Sequence, residues 1–501
     1  MRKLLLIVVL LSVPVLVAAG CGNSEEAASS ASELAPAGAV MYGEATLHPK
    51  GDQKQAIDTI LSKFPGGGQA GLADLIEKGL RESDAPISFK RDVEPWLGDE
   101  AAFFATGLGA NGQLRASAGL IATEDEDKAQ AALEKSAEGK TTKHTYNGVD
   151  YLTDESGEAG AVFDGFLVLG TEAGVKAAID TSKGGDELSD DDHYTQAIDG
   201  ATEDRLGLLY VNSPAFLKAA RRSGSPLPGS FQRFLEQPVV ATLDADGDGV
   251  LIEADVPDQM AKASGVLGQP SDLLNDLPGD SWLAVAQSEL GKLLDGYVDA
   301  FAGVVGGRDA IEQQFTASTG LDLHKDVLDW MGDFGVFVRG TTVSSLDGAL
   351  VVETSDEAAS GRFLSALQRL AQSEGGADIQ PRSGGFTVRT AEIPKPIEVF
   401  QQGGKVVFAY GDAAASDAVN PADKLGDSAD FSAARDSLGD YDLSFFVLVK
   451  PILDLVDSTS AASDKHWQEA RPYLEPLSAL VGGSSGGDGD GLKSAAKLVV
   501  K

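Results

Sequence analysis

Cysteine and histidine are scarce in this sequence. Cys21 is the only cysteine among 501 residues, so no disulfide can form within the chain and its domains must be stabilised by packed cores. A zinc site needs three or four converging ligands, and the five histidines form no His-x-x-x-His or His/Cys pattern. We therefore expect exposed or helix-capping roles for His48, His144, His193, His324 and His466.

Basic residues are also in deficit. The 40 lysines and arginines are outnumbered by 77 aspartates and glutamates, which gives a formal net charge of −37. Nucleic-acid binding rests on Lys/Arg contacts with phosphates, and the chain has no basic run of that kind. An acidic surface also repels anionic lipid headgroups. The composition therefore predicts no nucleic-acid partner and no membrane attachment through a basic face.

Signatures of common enzymes are missing as well. No Gly-x-Ser-x-Gly or Ser-x-x-Lys sequence stands in a convincing strand-to-helix setting, and no Gly-x4-Gly-Lys-Ser/Thr phosphate loop is present. Aspartate and glutamate are so abundant that no acid/base pair can be singled out. The sequence predicts no catalytic residue and no cofactor.

Residues 1–20 have the features of a secretory signal peptide. Two basic residues precede an apolar stretch at 4–17, which is shorter than the roughly 20 residues that a membrane span needs. The sequence Val-Ala-Ala-Gly-Cys at 17–21 resembles the lipobox of bacterial lipoprotein precursors, although alanine stands at 18, where leucine is commonest. This resemblance implies a diacylglycerol on the thiol of Cys21 and cleavage before it. The alternative is an ordinary signal peptide followed by an incidental free cysteine.

Residues 21–33 are rich in Ser, Ala and Glu without apolar periodicity, so we expect a flexible tether. One acyl chain binds a membrane only marginally, whereas two chains anchor stably. Lipid on Cys21 is therefore the predicted membrane contact, and it places the protein at the extracytoplasmic face of the cell membrane.

Two parts of the chain share an ordered series of similar positions. The sequence DVEPWLGD at 92–99 recurs as DVLDWMGD at 326–333, an offset of 234. Other matched pairs are Pro36 with Pro278, Phe103 with Phe337, Asp125 with Asp356, Tyr194 with Phe431, Pro214 with Pro451, and the Gly-Asp-Gly sequences at 247–249 and 487–489. The shared order predicts two homologous halves, 34–260 and 273–501, joined by a linker at 263–272.

Hydrophobic periodicity predicts the same kinds of element in each half. Apolar helical stripes run along 53–64 and 290–305, and Asp125 and Asp356 are positioned either to cap helices or to lie in their first turns. Strands are predicted at 102–106, 116–123, 166–170, 206–211, 239–243, 250–254, 335–339, 348–353, 405–410 and 443–449. The short spacing at 243–250 indicates a hairpin. The predicted fold is α+β, with two homologous halves, each an antiparallel sheet with amphipathic helices packed on one face.

A possible calcium site lies in that hairpin. Asp244, Asp246 and Asp248 stand at positions 1, 3 and 5 of a calcium-loop pattern, with glycine at position 6. Position 12 is Asp255 instead of the bidentate glutamate, and the flanking segments are predicted strands instead of helices. We therefore favour an acidic turn with no metal.

The repeated Trp96 and Trp330 have two possible roles. Exposed tryptophans mark binding surfaces, whereas a tryptophan that recurs by duplication is more often a buried anchor, and we favour the second role.

Several segments together resemble a bacterial envelope family known only as a domain of unknown function, number thirty-three fifty-two. The resemblance rests on LAPAGAVMY at 34–42, GDQKQA at 51–56, KFP at 63–65 and the DVEPWLGD segment at 92–99. It covers nearly the whole chain after Cys21. It implies an exported or anchored protein, and it supplies no catalytic residues.

The leading hypothesis is a non-enzymatic, membrane-tethered protein for binding or envelope interaction, whose protein or small-molecule partner is unknown. A carrier of lipid or another apolar ligand is an alternative, and it requires a large dry cavity. Less favoured alternatives are a hydrolase whose residues converge only in three dimensions and a calcium-dependent adhesin.

Overall fold

A computed structural model describes residues 30–68, 73, 76–80, 87–109, 113–136, 141–199, 201, 204–222, 237–256, 269–302, 306–486 and 492–501. The described residues divide into two compact units, and the division falls between Asp255 and Val256. We call the described residues up to Asp255 unit 1 and the later ones unit 2.

Unit 1 is built on an antiparallel sheet. Its strands are β1 (Met41–Thr46), β2 (Leu97–Leu108), β3 (Leu114–Thr123), β4 (Thr141–Tyr146), β5 (Val149–Asp154), β6 (Glu158–Phe163), β7 (Phe166–Thr171), β8 (Gly207–Val211), β9 (Val239–Asp246) and β10 (Gly249–Val256). Their order across the sheet is β10-β9-β8-β1-β2-β3-β7-β6-β5-β4, and every neighbouring pair is antiparallel. The predicted antiparallel pairing and the hairpin between β9 and β10 are confirmed.

Helices cover both faces of this sheet. They are α1 (Ala31–Leu34), α2 (Gly51–Ser62), α3 (Glu126–Ser136), α4 (Glu172–Ser182), α5 (Asp192–Ala197) and α6 (Ser213–Arg222). Leu133 of α3 packs with Leu167 and Leu169, whereas Ile179 of α4 packs with Val168, which points to the opposite face. The expectation of helices on one face was therefore wrong, because β7 is buried on both faces and carries a continuous apolar run.

Helix α1 corrects the predicted end of the tether. Residues 31–33 belong to the folded body, because Ala31 is fully buried and Leu34 is 3 % exposed. The side chain of Ser30 caps this helix by accepting a hydrogen bond from the Ser32 amide. The predicted tether at 21–33 therefore ends before Ser30.

Unit 2 is also built on an antiparallel sheet. Its strands are β11 (Leu283–Gln287), β12 (Met331–Arg339), β13 (Asp347–Thr354), β14 (Asp378–Arg382), β15 (Gly385–Arg389), β16 (Ile397–Gln402), β17 (Lys405–Tyr410), β18 (Asp442–Leu448), β19 (Leu477–Gly486) and β20 (Leu492–Val500). Their order is β20-β19-β18-β11-β12-β13-β17-β16-β15-β14, and all of these pairs are antiparallel.

The helices of unit 2 also lie on both sheet faces. They are α7 (Leu290–Ala302), α8 (Arg308–Thr319), α9 (Glu357–Glu374), α10 (Asp412–Val419), α11 (Ala429–Leu438), α12 (Val449–Asp457) and α13 (Lys465–Leu474). Leu364 of α9 packs with Val352 on one face, and Phe431 of α11 meets Phe446 edge to face on the other. The two units are therefore mixed α+β structures, as expected.

The predicted helix caps are present. The Asp356 carboxylate accepts hydrogen bonds from the amides of Ala358 and Ala359 at 2.9 and 3.0 Å. The Asp125 carboxylate accepts one from the Lys128 amide at 3.1 Å. Each aspartate satisfies amides that have no partner within the helix.

Candidate functional site

Cys21, the predicted lipidation site, lies outside the described residues, as does the predicted signal peptide at 1–20. None of the helices in the described ranges is long and apolar enough to cross a membrane.

A buried tryptophan stands at the start of a long strand in each unit. Trp96 and Trp330 are each 1 % exposed. Their indole N–H groups donate to the main-chain carbonyls of Asp92 and Asp326, at 2.6 and 2.9 Å. Each aspartate lies four residues before its tryptophan, in a π-helical turn (Phe89–Val93 or His324–Leu328). The prediction of buried anchors is confirmed, so these indoles form no binding surface.

The aspartates of these turns are held by charged partners. Arg91, Lys135 of α3 and the Ser88 amide all donate to the Asp92 carboxylate. The hydrogen bond from Arg91 is the largest cause that holds the pKa of Asp92 well below its usual range. Asp326 accepts from Arg362 of α9 in the same way. The aspartate carboxylate of each turn is therefore paired with at least one basic side chain.

The weak calcium candidate lies in the β9–β10 hairpin. Asp244 and Asp246 belong to β9, and Asp248 lies in the turn, where its amide is 3.3 Å from Asp246 Oδ1. Burial raises the pKa of Asp244, and the nearby Glu253 adds to this effect. Over the described ranges, no group of three or more His, Cys, Asp or Glu side chains is placed to hold a metal ion.

Three of the five histidines are less exposed than expected. His48 Nδ1 is 2.9 Å from Asp99 Oδ1, and its side chain is 15 % exposed. His144 stacks on Tyr151 at 5.1 Å between ring centres, and its Nε2 is 2.9 Å from Thr153 Oγ1. His324 hydrogen-bonds with Arg308. His48 and Asp99 are 51 residues apart, and His324 and Arg308 are 16 apart, so spacing alone could not reveal these two contacts.

Two open cavities are lined by described residues of unit 2. The first has a volume of about 550 Å³ and is lined mainly by polar residues, among them Ser271, Asp333, Glu353 and Arg435. Within it the Ser271 hydroxyl donates to Asp333 Oδ2 at 2.6 Å. Its polar lining suits a hydrated ligand better than an acyl chain.

The second cavity has a volume of about 390 Å³ and contains a buried ion pair. Arg382 hydrogen-bonds with Glu398, which is 6 % exposed, and the guanidinium carbon lies 3.7 Å from the centre of the Phe400 ring. Thr387 also donates to Glu398, at 3.0 Å. Arg382 and Glu398 are thus partners of each other, and the cavity is small and polar.

A partly buried polar cluster lies in unit 1. Glu44 on β1 and Glu100 on β2 are diagonal neighbours on one sheet face, since Glu44 pairs with Ala102 and Thr46 pairs with Glu100. Arg205 donates to Glu44 Oε1, and the Tyr42 hydroxyl donates to Oε2 at 2.9 Å. Glu100 Oε2 accepts from the Ala31 amide at 3.1 Å. We call Glu44, Glu100, Arg205, Tyr42, Tyr194 and Tyr210 the carboxylate–tyrosine cluster.

The tyrosines of this cluster stack edge to face. Tyr194 lies between Tyr42 and Tyr210, with ring centres 5.7 and 5.1 Å apart. The Tyr210 hydroxyl is buried and has no hydrogen-bond partner within the described structure. Burial raises the pKa of all three phenols, so they stay neutral. Burial also raises the pKa of Glu100 to about 7, with a further contribution from Glu44.

Comparison with known protein families tests whether the chain belongs to the family that its sequence resembles. A family model described as "Protein of unknown function (DUF3352)" matches residues 23–462. The chain belongs to this family.

Other comparisons add little to this DUF3352 chain. Crystal forms III and I of TP0453 match it with 10 % and 9 % sequence identity and a TM-score of 0.26 each. Each match covers 46 % of this chain, and 81 % or 80 % of TP0453. Structural similarity at this level supports no conclusion about the function of this chain. No curated protein matches the sequence.

The carboxylate–tyrosine cluster is the feature of the DUF3352 fold that sequence reasoning missed. Its two carboxylates and its arginine come from three distant segments of the chain, so no local motif contains them. A signal was present in β1, where Tyr42 and Glu44 alternate with Gly43 and Ala45 and therefore share a sheet face. The partly exposed Glu100 has a raised pKa, because desolvation and the neighbouring Glu44 both disfavour its charge.

Proposed function

We propose that this protein is an extracytoplasmic lipoprotein, anchored in the cell membrane by a diacylglycerol on Cys21. The sequence at 17–21 carries this proposal, because Cys21 is the only cysteine and follows a signal-like stretch and three small residues. The net charge of −37 favours a lipid anchor over electrostatic attachment to anionic headgroups.

The start of the folded body is consistent with a tethered domain. Helix α1 begins at Ala31. The ten residue spacings from Cys21 to Ala31 could reach at most about 35 Å when fully extended. An anchor on Cys21 therefore keeps unit 1 within a few tens of ångströms of the bilayer.

We also propose that units 1 and 2 arose by duplication. The neighbour order of the ten described strands in unit 1, from β10 to β4, has the same pattern as the order from β20 to β14 in unit 2. Both tryptophan turns precede a strand with an irregular register at its start. Isolated bridges join Pro36 to Glu187 and Pro278 to Lys424 in the same way.

The proposed duplication suggests a change to one matched pair of the sequence comparison. Under this proposal Phe104 corresponds to Phe337 in place of Phe103, since both are fully buried and pair with the first strand of their unit. Leu97 and Ala101 are spaced four residues apart in β2, whereas their partners in β3 are two apart; β12 makes the same two-residue step in its partner strand with a spacing of three residues, from Met331 to Phe334. One extra residue in β2 therefore accounts for the displacement.

At the membrane, we propose a binding or envelope-interaction role without catalysis. The two cavities of unit 2 support a polar ligand or partner, because their walls are polar and include no histidine or cysteine. A carrier of lipid needs a dry apolar cavity, and neither of these two cavities has that character.

The anchor is tested by metabolic labelling with an alkyne fatty acid. The wild-type chain should take up the label, Cys21→Ala should lose it, and the tether variant Ser24→Ala should keep it. Protease added to intact spheroplasts should digest the labelled chain from outside. Label on Cys21→Ala, or protection from external protease, would overturn the proposal.

A further inference from the structure

The second cavity of unit 2 lies between a helix and the edge of the sheet. It has a volume of about 390 Å³, and its wall comes from α10, from strand β16 and from Arg382, the last residue of β14. Small-molecule sites in proteins usually have volumes of roughly 300–1,000 Å³. The cavity is therefore large enough for a small ligand.

A buried carboxylate forms part of this wall. Glu398 is 6 % exposed. Its two oxygens lie 3.1 and 3.0 Å from the Thr387 hydroxyl, which donates to them, and Oε2 also accepts a hydrogen bond from Arg382. A buried ion pair is costly to desolvate and often adds no stability over apolar side chains of similar volume. The position of this pair on an open cavity therefore favours a role in binding.

Arg382 can donate further hydrogen bonds. Its guanidinium carbon lies 3.7 Å from the centre of the Phe400 ring, so the ring supports the guanidinium plane. A guanidinium has five N–H donors, and among the described residues Glu398 is the partner of one of them. The side chain is 28 % exposed and lines the cavity. Several donors in a fixed plane are therefore available to a ligand.

Four more polar side chains line the cavity. They belong to Gln402, Asp412, Ser416 and Asn420, and none of them makes a side-chain hydrogen bond within the part of the chain that the structure describes. The two amides and the hydroxyl can each donate and accept, whereas the carboxylate accepts. The wall therefore offers both kinds of hydrogen-bonding group.

The charges of the wall select the class of ligand. An anion is disfavoured, because Glu398 already pairs with Arg382 and Asp412 adds a negative charge. A cation is disfavoured by the guanidinium, and an acyl chain would leave the polar groups without partners. A neutral sugar fits, since each of its hydroxyl groups donates and accepts. The C–H faces of its ring can pack against Ala415 and Val419, which also line the cavity.

The matching place in unit 1 is filled by side chains. The Tyr151 hydroxyl donates to Glu172 at 2.7 Å, and Lys176 donates to the same carboxylate at 2.8 Å. Lys176 Nζ also lies 5.3 and 5.5 Å from the ring centres of Tyr146 and Tyr151. These side chains bridge the β4–β5 hairpin and helix α4.

Unit 2 has different side chains at the corresponding positions. Under the proposed duplication, Arg382 corresponds to Tyr146, because each is the last residue before a two-residue hairpin turn. Ser416 corresponds to Lys176 as the fifth residue of its helix, and the third residue of the next strand changes from tyrosine to Thr387. Unit 2 thus lacks two aromatic rings and a lysine side chain at this place. The fold does not require the cavity.

We propose that this cavity binds a neutral sugar. Arg382 and the amides of Gln402 and Asn420 supply donors, and the carboxylates of Glu398 and Asp412 supply acceptors. The inference rests on the proposed binding role of the protein and names the ligand class for it. It does not depend on the lipid anchor.

Saturation-transfer difference NMR tests the proposal with the full chain in a detergent that has no sugar headgroup. The probes are glucose, galactose, mannose and N-acetylglucosamine, and at least one of them should show saturable binding. Ser416→Lys places a lysine in the cavity, as in unit 1, and should weaken this binding by about tenfold or more. Ala433→Lys adds the same side chain at an exposed position of α11 that lines neither cavity, and it should leave the affinity unchanged.

Asn420→Ala covers the case in which Ser416→Lys does not fold. It removes one amide from the wall and should weaken sugar binding by about 2- to 10-fold. Absence of binding by all four sugars, or sugar binding that Ser416→Lys and Asn420→Ala leave unchanged, would overturn the proposal.

Glycine, glucose 6-phosphate and putrescine are the zwitterionic, anionic and cationic probes. If one of them binds where the four sugars do not, and Ser416→Lys abolishes its binding, the sugar assignment fails while the proposed binding role stands. If no probe binds, this cavity no longer supports the binding role, and the lipid anchor is unaffected.

Discussion

Replacing Trp96 or Trp330 by phenylalanine tests the role of the buried tryptophan turns. Each substitution removes an indole N–H that donates to an aspartate carbonyl, at 2.6 Å for Trp96 and 2.9 Å for Trp330. Loss of one buried hydrogen bond costs about 1 kcal/mol. The smaller ring also leaves a cavity of roughly 40 Å³, which costs about 1 kcal/mol more. We therefore expect Trp96→Phe and Trp330→Phe each to lose about 2 kcal/mol.

Trp467 on α13 provides the control. Its indole donates to the Asp457 carboxylate at 2.8 Å, on the surface of unit 2. A surface contact of this kind contributes little, so Trp467→Phe should cost under about 1 kcal/mol. The double variant Trp96→Phe/Trp330→Phe should show nearly additive losses, because the two substitutions lie in different units.

The assay is urea unfolding followed by circular dichroism and by tryptophan fluorescence. The loss of free energy of unfolding should appear as a lower midpoint with an unchanged slope. The reasoning would be refuted if either buried variant cost no more than Trp467→Phe, or if one member of the pair were costly and the other neutral.

Three further predictions concern a buried hydroxyl, a helix cap and the acidic hairpin. Tyr210→Phe should leave the free energy of unfolding in urea unchanged or raise it by up to about 1 kcal/mol, because it removes a buried hydroxyl without a described partner. Unit 2 has a phenylalanine, Phe446, at the equivalent strand position. A clear loss of stability would contradict this prediction. Asp356→Ala should lower the free energy of unfolding by about 1 kcal/mol, because the cap of α9 is lost. Asp356→Asn can still cap the helix and should retain most of this stabilisation. Addition of a chelator should leave the melting temperature unchanged. A fall in melting temperature that added calcium reverses would instead support a calcium site in the hairpin that contains Asp246.

Local features of the fold could be predicted because short-range physics fixes them. The β9–β10 hairpin follows from an Asp/Gly turn between two apolar strands. The Asp356 cap follows from an aspartate directly before an amphipathic helix. Burial of Trp96 was predictable because the neighbouring carbonyls of its own turn satisfy the indole N–H.

Features that depend on contacts between distant parts of the chain could not be predicted from the sequence in the same way. Helix α1 was hidden in a Ser/Ala/Glu-rich segment, since its stability comes from packing of Leu34 and from Glu100, 69 residues beyond Ala31. The placement of helices on both sheet faces could not be predicted without knowing which strands lie in the middle of the sheet. The cluster of Glu44, Glu100 and Arg205 joins residues that only the β1–β2 and β1–β8 pairings bring together.

The proposal that the chain is anchored through Cys21 is tested most directly by mass spectrometry of the mature N-terminus. The protein would be extracted from membranes of cells that express it, and its N-terminal peptide would be isolated after proteolysis. The account predicts a peptide that begins at Cys21 and carries the mass of a diacylglycerol on the thiol. A mature peptide that begins elsewhere, or an unmodified Cys21, would contradict it.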